Sequence, residues 1–183
     1  MKPEAYVAFL RGINVGGNAL IKMAELKRAF ESLGFARVTT VLASGNVVFE
    51  AAPISTKALQ RKIQEKLQST FDANPLVILR SGVAITSLIK TDPFKSVKLT
   101  DQTKLHVTFL SEASTTDAEF PIEWTKKPFR VVQVGPGEIC SVVEPTETSG
   151  TSELMSYLEK QFGKNLTTRT WNTILKIGSL VQT

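Results

Sequence analysis

With 183 residues, 42% hydrophobic and 21% charged, the chain has the composition of one ordinary globular domain or two small ones, which argues against a disordered chain, a collagen and a coiled coil. One cysteine, Cys140, and one histidine, His106, exclude an internal disulfide, a multi-cysteine metal site and an imidazole cluster. The net charge of +5 is uneven, since residues 1–98 hold 14 Lys/Arg against 7 Asp/Glu and residues 99–183 hold 8 against 10. An anionic partner is therefore expected for the first half, beside the plainer reading of a solvated lysine surface.

Ala5–Arg11 reads as a buried strand, followed by a glycine-rich turn, GINVGGNAL. Met23, Leu26, Phe30 and Leu33 then recur at helical spacing, and Gly34 closes that helix. Arg37–Leu42 and Asn46–Glu50 are β-branched and apolar, with Ser44-Gly45 as the turn between them. Ser55 is placed to cap a second helix that turns Leu59, Ile63, Leu67 and Phe71 inward and Lys57, Arg61, Lys62 and Lys66 outward. Leu76–Arg80 is another strand. The order β-α-β-β-α-β predicts a split-βαβ, ferredoxin-like half with an antiparallel sheet and both helices on one face.

The second half is less regular. Val83–Ile89 reads as a helix stopped by Asp92-Pro93, Lys104–Leu110 as a strand holding His106, and Ser114–Phe120 as a short helix. Phe129–Val134 and Glu138–Glu144 predict a hairpin across Gly135-Pro136-Gly137. Leu154, Met155, Leu158 and Phe162 mark a helix ended by Gly163, and Thr167–Thr173 opens a last helix, capped by Thr168 or Thr170. The expected class is α+β: two ferredoxin-like halves with antiparallel sheets, the second a degenerate copy in element order without a residue-level repeat, plus a C-terminal helix. The halves are drawn at 1–90 and 100–183, with the boundary in Thr91–Asp101 where Pro, Asp and Lys cluster.

No apolar run approaches the ~20 residues of a membrane helix, and the apolar stretch of MKPEAYVAFLRG is too short for a signal peptide. The expectation is a cytoplasmic protein with no membrane partner, cofactor or metal.

Four stretches go beyond generic pattern: LRGINVGG (Leu10–Gly17) running into KMAEL (Lys22–Leu26), then Gly34-Phe35, SGNVVF (Ser44–Phe49) and TTRTWNTILKI (Thr167–Ile177). Together they resemble the bacterial family known as domain of unknown function 1697. The resemblance implies an α+β fold of two ferredoxin-like halves and carries no established activity. The chain departs from the family pattern at Thr170, where Asn is usual, and at Leu42 and Ala43, where an aromatic and a Gln are frequent. Ser141–Ser149 is also atypical of the family.

Among the residues themselves, the turn after the first strand is the leading ligand site. Glycines behind a strand and ahead of a helix bring N–H groups close to a phosphate. Arg11 and Lys22 flank the turn, Gly12, Gly16 and Gly17 bend it, and Asn14 adds a directional donor. The spacing is neither a P-loop nor G-x-G-x-x-G, and the plain alternative is a tight crossover that uses glycine for its backbone freedom. Ser44 and Asn46 bind either a ligand or their own hairpin; sequence leaves open whether that hairpin lies beside the turn. Arg169, Trp171 and Asn172 suggest either an anion site at a helix start or a clasp between the halves. His106 and Cys140 read as structural residues, and Phe9, Phe49 and Phe109 as core rather than a base-stacking platform.

The leading function is thus binding of a phosphate-bearing or other anionic ligand at the glycine turn, a phosphate-containing small molecule or a nucleic-acid backbone. One alternative is a structural or protein-interaction module without a small-molecule site. Another is an acylphosphatase-like phosphoryl hydrolase, with Arg11 and Asn46 as phosphate and water ligands, a reading by fold analogy alone.

Overall fold

The computed structural model describes residues 2–14, 20–112, 128–146 and 150–181. The chain divides into two compact units, Met1–Ser87 with Leu175–Thr183, and Leu88–Ile174.

In the first unit, β1 (Glu4–Arg11), β2 (Ala36–Val41), β3 (Asn46–Ala51) and β4 (Leu76–Ser81) form one antiparallel sheet in the order β2-β3-β1-β4. Helices α1 (Met23–Glu31) and α2 (Thr56–Phe71) are inserted after β1 and β3. Leu26, Ala29 and Phe30 of α1 and Leu59, Ile63 and Leu67 of α2 are buried, the 3.6-residue stripe that the sequence carries. They share a core with Tyr6, Ala8 and Leu10 of β1, and with Val47, Phe49 and Ala51 of β3. Alternate residues of both strands therefore face the helices. Phe49 stacks on Phe35 at 4.6 Å and meets Phe30 edge-on at 5.4 Å. Such pairs add about 0.5–1.5 kcal/mol each beyond their buried area. Ser55 caps α2, its Oγ accepting the Ala58 N–H at 3.3 Å. Helix α3 (Gly82–Thr91) follows β4 directly and ends at Asp92, whose N–H bonds Leu88 O at 3.2 Å with φ +44°.

In the second unit, β5 (Lys104–Leu110), β6 (Phe129–Val134), β7 (Glu138–Val143) and β8 (Leu166–Thr170) form a sheet in the order β6-β7-β5-β8. Helix α4 (Thr151–Phe162) precedes β8, and α5 (Trp171–Val181) follows it. Leu154 and Leu158 of α4 pack with Leu110, Val131, Ile139, Val143 and Leu166. The expected helix at Ser114–Phe120 lies outside the described residues.

One expectation is corrected. Thr167–Thr173 does not open the last helix; its first four residues belong to β8, and α5 begins at Trp171. A threonine-rich run suits a strand because its β-branched side chains restrict χ1. Thr168 also bonds Thr108 of β5 across the sheet at 2.7 Å. Thr170 caps α5, as one of the two expected threonines, with its Oγ1 accepting the Thr173 N–H at 3.4 Å.

The two sheets share one topology, and their registers reveal a residue-level correspondence that sequence comparison alone misses. Leu10 N–H bonds Gly45 O at 2.8 Å, and Leu110 N–H bonds Gly137 O at 2.9 Å. Val7 faces Arg80 in β4, and Val107 faces Arg169 in β8. Phe9-Leu10 thus matches Phe109-Leu110, and Arg80-Ser81 matches Arg169-Thr170. Ser81 and Thr170 both close a strand and cap the helix behind it. Residues 113–127, between β5 and β6, lie outside the described residues.

Candidate functional site

The loop after β1 is bolted at its base. Asn14 has φ +56°, a left-handed conformation that asparagine tolerates better than most residues. Its Oδ1 accepts the Ile21 N–H at 2.7 Å, and its Nδ2 donates to Ile21 O at 3.1 Å and to Ala43 O at 3.2 Å. One side chain thereby closes both polar groups of Ile21, as a neighbouring strand would, and ties the loop to the β2–β3 hairpin. Ile13 and Ile21 on either side are buried at 4% exposure, so the loop is also pinned by its own apolar residues.

The hairpin therefore does lie beside the loop, the question that sequence leaves open. Gly45 is the point of closest approach: a Cβ built there would stand 2.9 Å from Ile13 Cδ1 and 2.9 Å from Leu10 Cβ. Asn46 is wholly buried, and its Nδ2 donates to Val41 O at 2.9 Å and to Ser44 Oγ at 3.0 Å. Asn14, Ser44 and Asn46 are thus drawn together as the framework of one loop cluster. Arg11 ends β1 opposite Leu76 and is half-buried. Gly12 is exposed, with φ +89°. Lys22 is exposed and supplies the backbone N-cap of α1, its carbonyl accepting the Glu25 and Leu26 N–H groups. Its ammonium makes no ion pair among the described residues. Gly16 and Gly17 lie outside those residues.

Arg169, Trp171 and Asn172 belong to the second unit. Arg169 turns back along its own strand, Nη1 donating to Thr167 Oγ1 at 2.7 Å and Thr168 O at 2.9 Å. Burial lowers its pKa to about 10. Arg80 makes the matching bond to Leu79 O at 2.7 Å, so this is a repeated strand-end device. Trp171 and Asn172 instead line a recess of about 300 Å³ together with Lys104, Leu99 and Leu105. Sequence reasoning passes over Lys104 and Leu99. Only the β5–β8 register, which sets His106 opposite Thr170, carries the start of β5 to the start of α5.

His106 is 5% exposed, and its Nε2 lies 3.5 Å from Thr151 Oγ1. Burial, then the charge of Lys104, lowers its pKa from the ordinary 6.5. Its cross-strand neighbour Ser141 is wholly buried with an unpartnered Oγ. Cys140 is buried and its thiol is pushed up to about 12, mainly by desolvation. Among the described residues no group of three or more His, Cys, Asp or Glu could hold a metal ion, and no helix is long and apolar enough to cross a membrane.

Residues 4–139 match the family described as "Protein of unknown function (DUF1697)". The chain belongs to the DUF1697 family. Among solved structures, this DUF1697 chain is similar to the conserved bacterial protein SP0830 from Streptococcus pneumoniae, with a TM-score of 0.70 and 21% identity over 98% of this chain and 99% of that one. At that identity the likeness speaks for the fold alone. No curated protein matches the DUF1697 chain significantly.

Proposed function

We propose that this DUF1697 protein binds an anionic, phosphate-bearing ligand at the loop between β1 and α1. Arg11 and Lys22 would supply charge, and Gly12 with Gly16 and Gly17 close backbone approach. The observation that carries the reading is the Asn14 clamp. It ties Asn14 to Ile21 and to the β2–β3 hairpin before any ligand arrives, which lowers the ordering cost of binding at the loop base. The Lys22 ammonium, at the N-terminal end of α1, adds to the partial positive charge of that helix end. The excess of cations in residues 1–98 acts in the same direction.

A second reading has its own support. The polar atoms described for Asn14 and the Asn46 amide are engaged within the fold, as expected of a scaffold or protein-interaction module without a small-molecule site. The bonds of the Asn46 Nδ2 to Val41 O and Ser44 Oγ speak against the water-positioning part an acylphosphatase-like hydrolase would need, and no hydrolysis is proposed.

A thermal-shift panel of nucleotides, sugar phosphates, polyphosphate and short RNA and DNA separates these readings. Lys22→Ala serves as the main variant because the lysine side chain makes no hydrogen bond or ion pair among the described residues. A compound that stabilises the natural protein but not the variant supports the loop site. Binding confined to RNA or DNA, falling steeply with salt, would name the nucleic-acid backbone as the ligand. No stabilisation by any phosphate compound would favour the scaffold reading.

A further inference from the structure

The recess in the second unit holds three hydrogen-bond donors without a partner among the described residues. Trp171 is 8% exposed, and its one described side-chain interaction is an edge-on contact with Phe94 at 5.2 Å. Its indole N–H has no hydrogen-bond partner among the described residues. That N–H is not among the buried unsatisfied atoms, so it opens to the recess and to solvent. The exposed amide of Asn172 and the ammonium of Lys104 likewise make no hydrogen bond or ion pair among the described residues.

The nearby carboxylate does not fill this role. Glu144 receives the hydroxyls of Thr103 at 2.8 Å and Thr100 at 3.3 Å, and these two threonines neutralise part of its demand without a cation. Helix α5 begins at Trp171, so its first-turn N–H groups stand at the same end, where the Thr173 N–H is capped by the Thr170 hydroxyl. The remaining wall is mixed: Thr100, Thr103 and Thr170 line it, and Leu105, the indole face and Leu99, which is 61% exposed, give it an apolar side. An exposed leucine beside a partly open tryptophan ring is a poor solvent surface and a good seat for a flat apolar group.

We infer that this recess binds a small organic oxyanion, a carboxylate or phosphate monoester carried on a compact planar apolar body. The oxyanion would meet Lys104, Asn172 and the start of α5, and the planar body would lie between Leu99 and Trp171. About 300 Å³ admits one ring and its anionic group, not a dinucleotide. The site is independent of the β1–α1 loop.

The test uses the full ¹⁵N-labelled chain and phenyl phosphate as probe, with inorganic phosphate and benzyl alcohol as its two halves. The protein has two indole N–H resonances, from Trp124 and Trp171. Trp171→Phe assigns them, or Trp124→Phe if the first variant does not fold. The expected result is a saturable shift of the Trp171 resonance with a Kd below ~1 mM, a range ordinary for a one-ring ligand. Each half alone should bind at least ~10-fold more weakly, and Lys104→Ala should weaken phenyl phosphate ~10-fold. Lys22→Ala should leave this titration unchanged. The inference is overturned if the Trp171 resonance does not saturate, if Lys104→Ala binds within about twofold of the natural protein, or if inorganic phosphate alone binds as well. Loss of the shift in Lys22→Ala would place the ligand at the loop and overturn the recess.

Discussion

Substituting Gly45 tests the physical claim on which the loop cluster rests. Gly45 has φ +73°, and its missing Cβ leaves room for Leu10 and Ile13. In Gly45→Ala the backbone conformation alone costs ~1 kcal/mol, because a Cβ in the left-handed region crowds the following carbonyl. The new methyl also stands 2.9 Å from Leu10 Cβ, an atom fixed to β1 that cannot swing aside. Overpacking of this kind costs roughly 1–3 kcal/mol. The total, about 2–4 kcal/mol, lowers Tm by roughly 5–15 °C in a chain of this length. Gly12→Ala is the internal control: φ is +89° but nothing lies within 4 Å of its Cβ. It should lose only the backbone cost, ~1 kcal/mol and about 2–4 °C. Both variants are read by circular-dichroism melting under identical buffer. Equal losses in the two would refute the argument that the hairpin is pressed against the loop.

Four further outcomes follow from the same geometry. Asn14→Ala removes three hydrogen bonds to Ile21 and Ala43 and should cost about 1–3 kcal/mol in urea unfolding; a change below ~0.5 kcal/mol would show the clamp to be ornamental. Because burial holds the folded-state pKa of His106 below 6.5, the unfolded chain binds the extra proton first in acid. The stability contributed by His106 is complete above pH 6.5 and is lost as pH falls towards the folded-state value, so Tm should drop in that window, and less so in His106→Gln. Ser141→Ala removes an unpartnered buried hydroxyl and should be neutral or stabilising, whereas Thr108→Val, which breaks a 2.7 Å bond to Thr168, should lose about 1 kcal/mol; the two melting curves decide. The Cys140 thiol, pushed up to about 12, should resist a thiol reagent at pH 8 in the folded protein and react once denaturant is added.

Local physics made much of this fold legible. The apolar stripes of α1 and α2, the Ser55 cap and the glycine turns at residues 45 and 135–137 all act within a few residues of themselves. They are therefore visible as spacing. Segment 167–170 was not, because threonine serves equally as a strand residue and as a helix cap. Its assignment is decided by pairing with β5, some sixty residues away. The internal correspondence was hidden for a related reason. Phe9-Leu10 and Phe109-Leu110, or Arg80-Ser81 and Arg169-Thr170, are too short to stand out until hydrogen-bond register aligns them. The polarity of Asn14 is plain in the sequence, but a side-chain amide next to a loop serves ligand or backbone equally well on paper. The structure turns it to the backbone. Lys104 gave no signal, since a lysine at the head of a strand is ordinary, and only three-dimensional placement beside Trp171 makes it notable.

The most direct test of the loop reading is an amide ¹H–¹⁵N titration of the uniformly labelled protein with a phosphate compound drawn from the thermal-shift panel. Binding at the loop predicts saturable shifts concentrated in residues 11–22 and 43–46, absent in Lys22→Ala although its spectrum elsewhere is that of the natural protein. Saturable shifts that leave those amides unmoved, or that persist at full strength in Lys22→Ala, would contradict it.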